Sequence, residues 1–529
     1  MKPFIFFVFL FVFSNLVSLT ASDFNITFKG QLPYNQTLSG IWSYAAPDGT
    51  EYAIVGTRSG TSIVDISDPS NPEEKFFIQG ATSDWREIRT FEHYAYITTE
   101  GGGGLQILNL SNLPNNVNVN TWTGPANEVN TAHTIFIDEN GFAFVNGFNN
   151  ADGTIPGNQR GFLILDLNAN PINPPIVGSF SDAYVHDCYG RNDTIYAALI
   201  YQGIVAVIDV SDKANLQIIQ TFETPSLFTH NTWLSDDGKT LFTTDEVSGA
   251  YIAAYDISNL NSPQLLDRIR ILPGSGLIPH NVHYLNGFLV ASYYRTGVVV
   301  IDARYPDNLI EVGRYNTSIY SPSNGFNGCW GIDPYLPSGN VIASDIENGL
   351  FILKPDYERA AYLEGLIINS NDGFPLISAD IKILGTSQTE RTNLNGEYKT
   401  GAPETGEYTL EISRSGCTTK TTNVNLYTDS IIYKNFVLNC TTTNANEVSI
   451  AEVFYQLDVT NSQILLKNQM SNESLLVNIY DISGRIHSNF AINALELKEI
   501  NQPPTPGIYF IHIFNTDKQI HSVEKVYLQ

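Results

Sequence analysis

A short apolar run closed by an acidic or amide residue recurs through the first two thirds of the chain, and no other feature limits the fold so strongly. It appears as Ser62-Ile63-Val64-Asp65-Ile66-Ser67, Leu105-Gln106-Ile107-Leu108-Asn109 and Phe162-Leu163-Ile164-Leu165-Asp166. It returns as Val205-Ala206-Val207-Ile208-Asp209, Ile252-Ala253-Ala254-Tyr255-Asp256 and Val298-Val299-Val300-Ile301-Asp302. A seventh copy, Leu350-Phe351-Ile352-Leu353, ends in Lys354 instead. The marker positions 65, 109, 166, 209, 256, 302 and 354 lie 44, 57, 43, 47, 46 and 52 residues apart. A period near 45, with room for several short strands, predicts the four-stranded blades of a β-propeller rather than stacked helix pairs.

The sixth repeat displays the strands one by one. His280 to Leu285 leads into an Asn286-Gly287 turn, then Phe288 to Tyr293, Gly297 to Asp302 and Leu309 to Tyr315. Asn-Gly between two apolar runs is a strong hairpin signal. Asp138-Glu139-Asn140-Gly141 and Asp236-Asp237-Gly238-Lys239 fill the same slot in other repeats, where turn formation accounts for their acids. The seventh repeat lacks a fourth strand, and Phe24 to Leu32 has the character to supply it, which would remove two exposed sheet edges. The predicted fold is all-β: a seven-bladed β-propeller over 23–357, followed by two small β-sandwich domains.

The Ile-Val-Asp-Ile-Ser strand with Asp68-Pro69 behind it resembles LVIVD-repeat propellers. A wider set resembles the choice-of-anchor B domain: Asp84-Trp85-Arg86-Glu87, Ala132-His133-Thr134, His186-Asp187, Thr229-His230-Asn231, Pro279-His280-Asn281 and Trp330-Gly331-Ile332-Asp333-Pro334. That resemblance implies a secreted propeller and carries no defined activity. Residues 361–440, with Gly365, Asn371-Asp372-Gly373, Pro375 and Asn395-Gly396-Glu397-Tyr398, resemble the carboxypeptidase regulatory-like β-sandwich. A polar stretch at 441–452 reads as a linker. The segment 453–529, with Val477 to Arg485, Pro506-Gly507-Ile508-Tyr509-Phe510-Ile511 and Val523 to Val526, resembles the C-terminal sorting domain of type IX secretion cargo. This implies the type IX machinery as a partner and a surface or released destination.

The N-terminus agrees with export. Lys2, the apolar run from Phe4 to Val17 and small residues through Ser22 predict a secretory signal peptide over 1–22. In that compartment Cys417 and Cys440, close together in one small segment, can pair, whereas Cys188 and Cys329 offer no clear partner. A net charge of −26 repels phosphate backbones and anionic lipid heads, which argues against nucleic acid and against electrostatic membrane docking; with export, the expected partner is an unidentified extracellular protein or glycan. No Gly-x-Ser-x-Gly elbow or phosphate loop is present.

In a four-stranded meander the start of the first strand and the end of the second share one end, so those positions converge. First-strand starts supply Trp85, Arg86, Glu87, Asn231, Asn281 and Trp330, together with His133, His186, His230 and His280; His283 follows close behind. Second-strand ends supply Asp245, Glu246, Tyr293, Tyr294, Asp345 and Glu347. Two readings stand. The four histidines hold a divalent metal ion beside a polar ligand, or each pairs within its own blade and pins the inner strand. The first reading divides into a binding protein and a metal-dependent hydrolase or lyase, with Glu246 or Glu347 as base and Arg86 steadying an anion. Trp42, Trp85 and Trp330 are expected near the same opening.

Overall fold

The computed structural model describes residues 23–371, 373–440, 455–459, 464–471, 473–481, 486–500, 507–515 and 520–528. The expected signal peptide and linker, and the start of the expected sorting domain, lie outside the described residues. The chain divides into two compact units, Met1–Arg359 and Ala360–Gln529.

The first unit contains seven four-stranded antiparallel sheets. Their first strands are Leu38–Ala45, Ile88–Phe91, Ile135–Ile137, Asp187–Arg191, Thr229–Leu234, Pro279–Leu285 and Cys329–Asp333. Each first strand packs beside the next in sequence order, and the seventh packs against the first. Burial explains the repeat. The third strands, which carry the apolar runs, are covered on both faces: all six residues of Gly297–Asp302 are buried. Such strands read as continuous apolar runs rather than alternating ones. Fourth strands such as Glu73–Gln79 and Gln217–Glu223 are mostly exposed, whereas Ile310–Tyr315 in the sixth sheet is mostly buried. The marker residue ends the run with a side-chain turn. Asp65, Asn109, Asp166, Asp209, Asp256 and Asp302 each accept a hydrogen bond from the backbone N–H two residues on, at 2.8–3.1 Å.

In the seventh sheet, the fourth strand is Ile26–Leu32, paired antiparallel with Gly349–Pro355 from Ile26↔Pro355 to Leu32↔Leu350. The chain's start thus covers what would be an open edge at its repeat's end. Phe24 and Arg314 exchange backbone hydrogen bonds at 2.9 Å and tie this strand to the sixth sheet as well.

Within the second unit, Ala361–Asn369 pairs antiparallel with Glu397–Ala402 and parallel with Ser430–Tyr433 and Phe436–Leu438. A second sheet runs in the order Thr389–Arg391, Asp380–Ile383, Gly406–Ser413, Lys420–Leu426. Leu363, Ile367, Ile381, Leu410, Ile412 and Phe436 from both sheets form one core, and Cys417 and Cys440 are joined by a disulfide. A separate core unites a three-stranded and a four-stranded sheet within 455–528 through Leu466, Val477, Ile479, Ile500 and Ile511. Among the described residues no helix is long and apolar enough to cross a membrane.

Candidate functional site

Hydroxyl groups on one sheet grip the backbone of the next at the positions that matter. Thr98 Oγ1 donates to the His133 carbonyl (3.1 Å), Thr134 Oγ1 to that of His186 (2.6 Å), Thr244 Oγ1 to that of His280 (2.6 Å) and Ser292 Oγ to that of Trp330 (2.9 Å). β-Bulges then aim the side chains. The pairing register slips between Thr229 and Asn231, between Pro279 and Val282, and between Cys329 and Gly331. His230, His280 and Trp330 fall in these slips, and a bulge turns a side chain away from the regular alternation. Gly328, before the last of them, has φ +95°, and a Cβ there would meet the Tyr294 carbonyl oxygen at 1.9 Å. Only glycine allows Cys329 N–H to reach that oxygen at 2.7 Å.

The result is an arc of four imidazoles, one from each of four successive sheets. Ring centroids are 4.2 Å apart for His133–His186, 4.5 Å for His186–His230 and 4.3 Å for His230–His280. They line a cavity of about 390 Å3 together with Glu246, Tyr294, Trp85, Phe326 and Trp330. The Glu246 carboxylate lies 3.8 Å from His230 Nε2 and 3.9 Å from His280 Nε2, and accepts a hydrogen bond from the Tyr294 hydroxyl.

Burial controls protonation here. It pushes the Glu246 carboxyl up to about 7, against the Tyr294 hydrogen bond, which favours the charged form. It pushes His280 down to about 3 and holds His186 and His230 well below the ordinary imidazole value, their like-charged neighbours adding to the effect. Those three rings are therefore neutral at pH 7 and offer lone pairs. Two hydrogen bonds decide which nitrogen is free. His280 Nδ1 faces the Trp330 carbonyl (2.5 Å) and His133 Nδ1 faces the Glu100 carboxylate (2.6 Å). Both partners only accept, so each Nδ1 carries a proton, and in the neutral His280 ring Nε2 is left bare. Metal-ligating histidines are oriented by the same kind of outer partner.

One ligand atom each from His186, His230 and Glu246 lies within 4.8 Å of the other two. His133 Nε2 stands 3.2 Å from His186 Nε2. Two nitrogens on a tetrahedral zinc at ~2.1 Å would be about 3.4 Å apart. Neutral imidazoles with one carboxylate suit zinc, iron, copper or nickel.

The remaining expected residues lie elsewhere. Arg86 is buried, donating from Nε to the Thr57 carbonyl (2.8 Å) and from Nη2 to that of Ala81. Glu87 pairs with Arg89. Asn231 donates to Asp187 Oδ2 (2.7 Å) and accepts from Val282 N–H (3.0 Å), linking three sheets. Asn281 N–H donates to Ser292 Oγ (3.1 Å), and Tyr293 is fully buried. Asp245 and Asp345 occupy equivalent places and do equivalent work: each accepts from a threonine hydroxyl, Thr224 or Thr317, and from nearby loop N–H groups. Glu347 accepts from Asn327 Nδ2 (2.7 Å) and Gly328 N–H (3.0 Å). Two expectations are corrected. Trp42 lines a different cavity, and His283 stands against Trp42 and Trp233 rather than with the other four histidines. Phe326, which sequence reasoning missed, comes from the irregular 316–328 connection, where no repeat register points to it.

No match was found among curated proteins. The CarboxypepD_reg-like domain family matches residues 363–450. The LVIVD repeat matches residues 50–79, which span the second, third and fourth strands of the first sheet and its Asp65 marker. The chain is thus an all-β protein with an LVIVD repeat in its first unit and a CarboxypepD_reg-like domain in its second.

Proposed function

We propose that the chain is an exported seven-bladed β-propeller binding protein that captures a polar ligand through a divalent transition-metal ion. His186, His230 and Glu246 form the core of the ligand set, flanked by His133 and His280. The observation that carries this reading is the convergence of imidazole nitrogens and a buried carboxylate on one cavity, with Glu100 and the Trp330 carbonyl orienting the outer two rings. Three protein ligands leave coordination positions open toward the cavity, where Trp85 and Phe326 are 42% and 57% exposed. A ligand with an oxygen-donor head and an apolar body suits that surface. The seven sheets, their cyclic packing and the LVIVD match support the propeller. Export rests on the apolar N-terminal run and on the resemblance of the C-terminal segment to type IX cargo.

Binding is favoured over hydrolysis for a specific reason. With Glu246 serving as a ligand, the other carboxylate among the described cavity residues is Asp84, which pairs with Arg58 at 3.3 Å. Glu347 is held by Asn327 and Gly328, and Arg86 by the carbonyls of Thr57 and Ala81. The test is calorimetric titration of zinc into untagged, EDTA-treated chain lacking residues 1–22. One site is expected, lost in His230→Ala; absence of binding by the parent, or its survival in the variant, overturns the reading.

A further inference from the structure

The same first strands that begin at the histidine cavity end at a second one. Three or four residues beyond Leu38, Trp85, His133, His186 and His230 stand Trp42, Arg89, Phe136, Tyr189 and Trp233, about 10–13 Å further along an extended chain. With Tyr335 and the Glu139–Asn192 edge they line a bowl of about 370 Å3. We propose that this bowl binds a neutral saccharide, independently of the histidine cavity.

Three observations select that ligand class. First, most of the aromatic rings are tilted to one another: Trp42 and Tyr335 at 48°, Tyr189 and Trp233 at 51°, Phe136 and Tyr189 at 46°, with Trp233 and Tyr335 alone near-parallel at 20° among these pairs. A flat aromatic ligand needs a parallel slot, whereas the C–H faces of a puckered sugar ring fit a concave set of ring faces. Second, donors and an acceptor both edge the bowl. Arg191 is fixed by the Ser235 and Asp236 carbonyls and the Tyr189 hydroxyl, and Glu139 accepts from Asn192 N–H at 2.8 Å. Arg89 is 5% exposed, lies 4.1 Å over Trp42 and pairs through Nη1 with Glu87, yet its Nε has no hydrogen-bond partner among the described residues. A hydroxyl both donates and accepts, so a polyol serves such a mixed edge. Third, charge disfavours the alternatives. Arg89 is paired with Glu87, and Arg191 stands against Glu139 on the edge, so the bowl carries no excess charge for an ionic ligand, while the chain's net charge of −26 repels a polyanionic glycan at long range.

The experiment titrates maltopentaose, cellopentaose, xylopentaose and laminaripentaose at millimolar concentration into EDTA-treated chain lacking residues 1–22, followed by tryptophan fluorescence and calorimetry. At least one is expected to bind, with affinity reduced about tenfold in Trp42→Ala and partly restored in Trp42→Phe. Crystals of the parent soaked with the same sugar provide a readout that needs no variant, with density expected over Trp42 and Trp233. Failure of all four sugars, binding undiminished by Trp42→Ala, or preference for a planar probe such as indole overturns the proposal. Because the EDTA-treated protein serves throughout, this result is separable from the fate of the metal site.

Discussion

Replacing Glu246 by Gln separates the electrostatic account of the cavity from any general effect of mutation. In metal-free protein, burial raises the Glu246 carboxyl from 4.5 to about 7, so the folded state holds its proton more tightly than the unfolded state does. The resulting stabilisation is fully present below pH 4.5 and is lost as pH rises through 7. A shift of about 2.5 units corresponds to about 3 kcal/mol at 1.36 kcal/mol per unit. Gln keeps an oxygen for the Tyr294 hydroxyl and carries no charge, so Glu246→Gln escapes the loss. In EDTA the variant and parent should melt together near pH 4. By pH 8 the variant should melt higher by roughly 4–5 °C, the size expected for a unit this large. Adding zinc at pH 8 should reverse the order, since ligand binding raises only the parent strongly. Identical melting of the two proteins in EDTA at pH 8 would refute the claim that the carboxyl is buried among neutral rings.

Other outcomes follow from the same contacts. Glu100→Gln removes the charge that orients His133 without touching the cavity core, so zinc affinity should fall by about tenfold in calorimetry while the circular dichroism stays unchanged. A chain beginning at residue 33 loses the strand that covers Gly349–Pro355, and should elute as aggregate in size exclusion where the parent does not. Cys417→Ser combined with Cys440→Ser opens a link across 23 residues and should lower the stability of its domain by about 3 kcal/mol, read from urea unfolding by hydrogen exchange at residues 361–440.

Much of the fold was legible because its repeat is chemical as well as numerical. The apolar run reports a strand covered on both faces, and the residue ending it reports a turn that accepts the N–H two positions on. Counting strands also revealed that the seventh repeat needed a partner, the role taken by Ile26–Leu32. The positions of His133, His186, His230 and His280 followed from strand polarity alone. What the sequence hid was side-chain aim. Register slips at His230, His280 and Trp330, and between Leu38 and Ile41, break the period-two alternation without any signature in the residues themselves. Trp42 and His283 were assigned to the wrong opening for a different reason: each stands three or four residues further along its first strand than Leu38 or His280. Asp245 and Asp345 serve their own loops, whereas Glu246, next to Asp245, turns into the cavity, a distinction the sequence does not carry.

The most direct measurement is anomalous diffraction at the zinc edge from crystals of untagged chain grown with zinc. A single strong peak bonded to His186, His230 and Glu246, flanked by His133 and His280, is the result required. A map empty at that point, with each imidazole turned to a partner in its own sheet, would contradict the account.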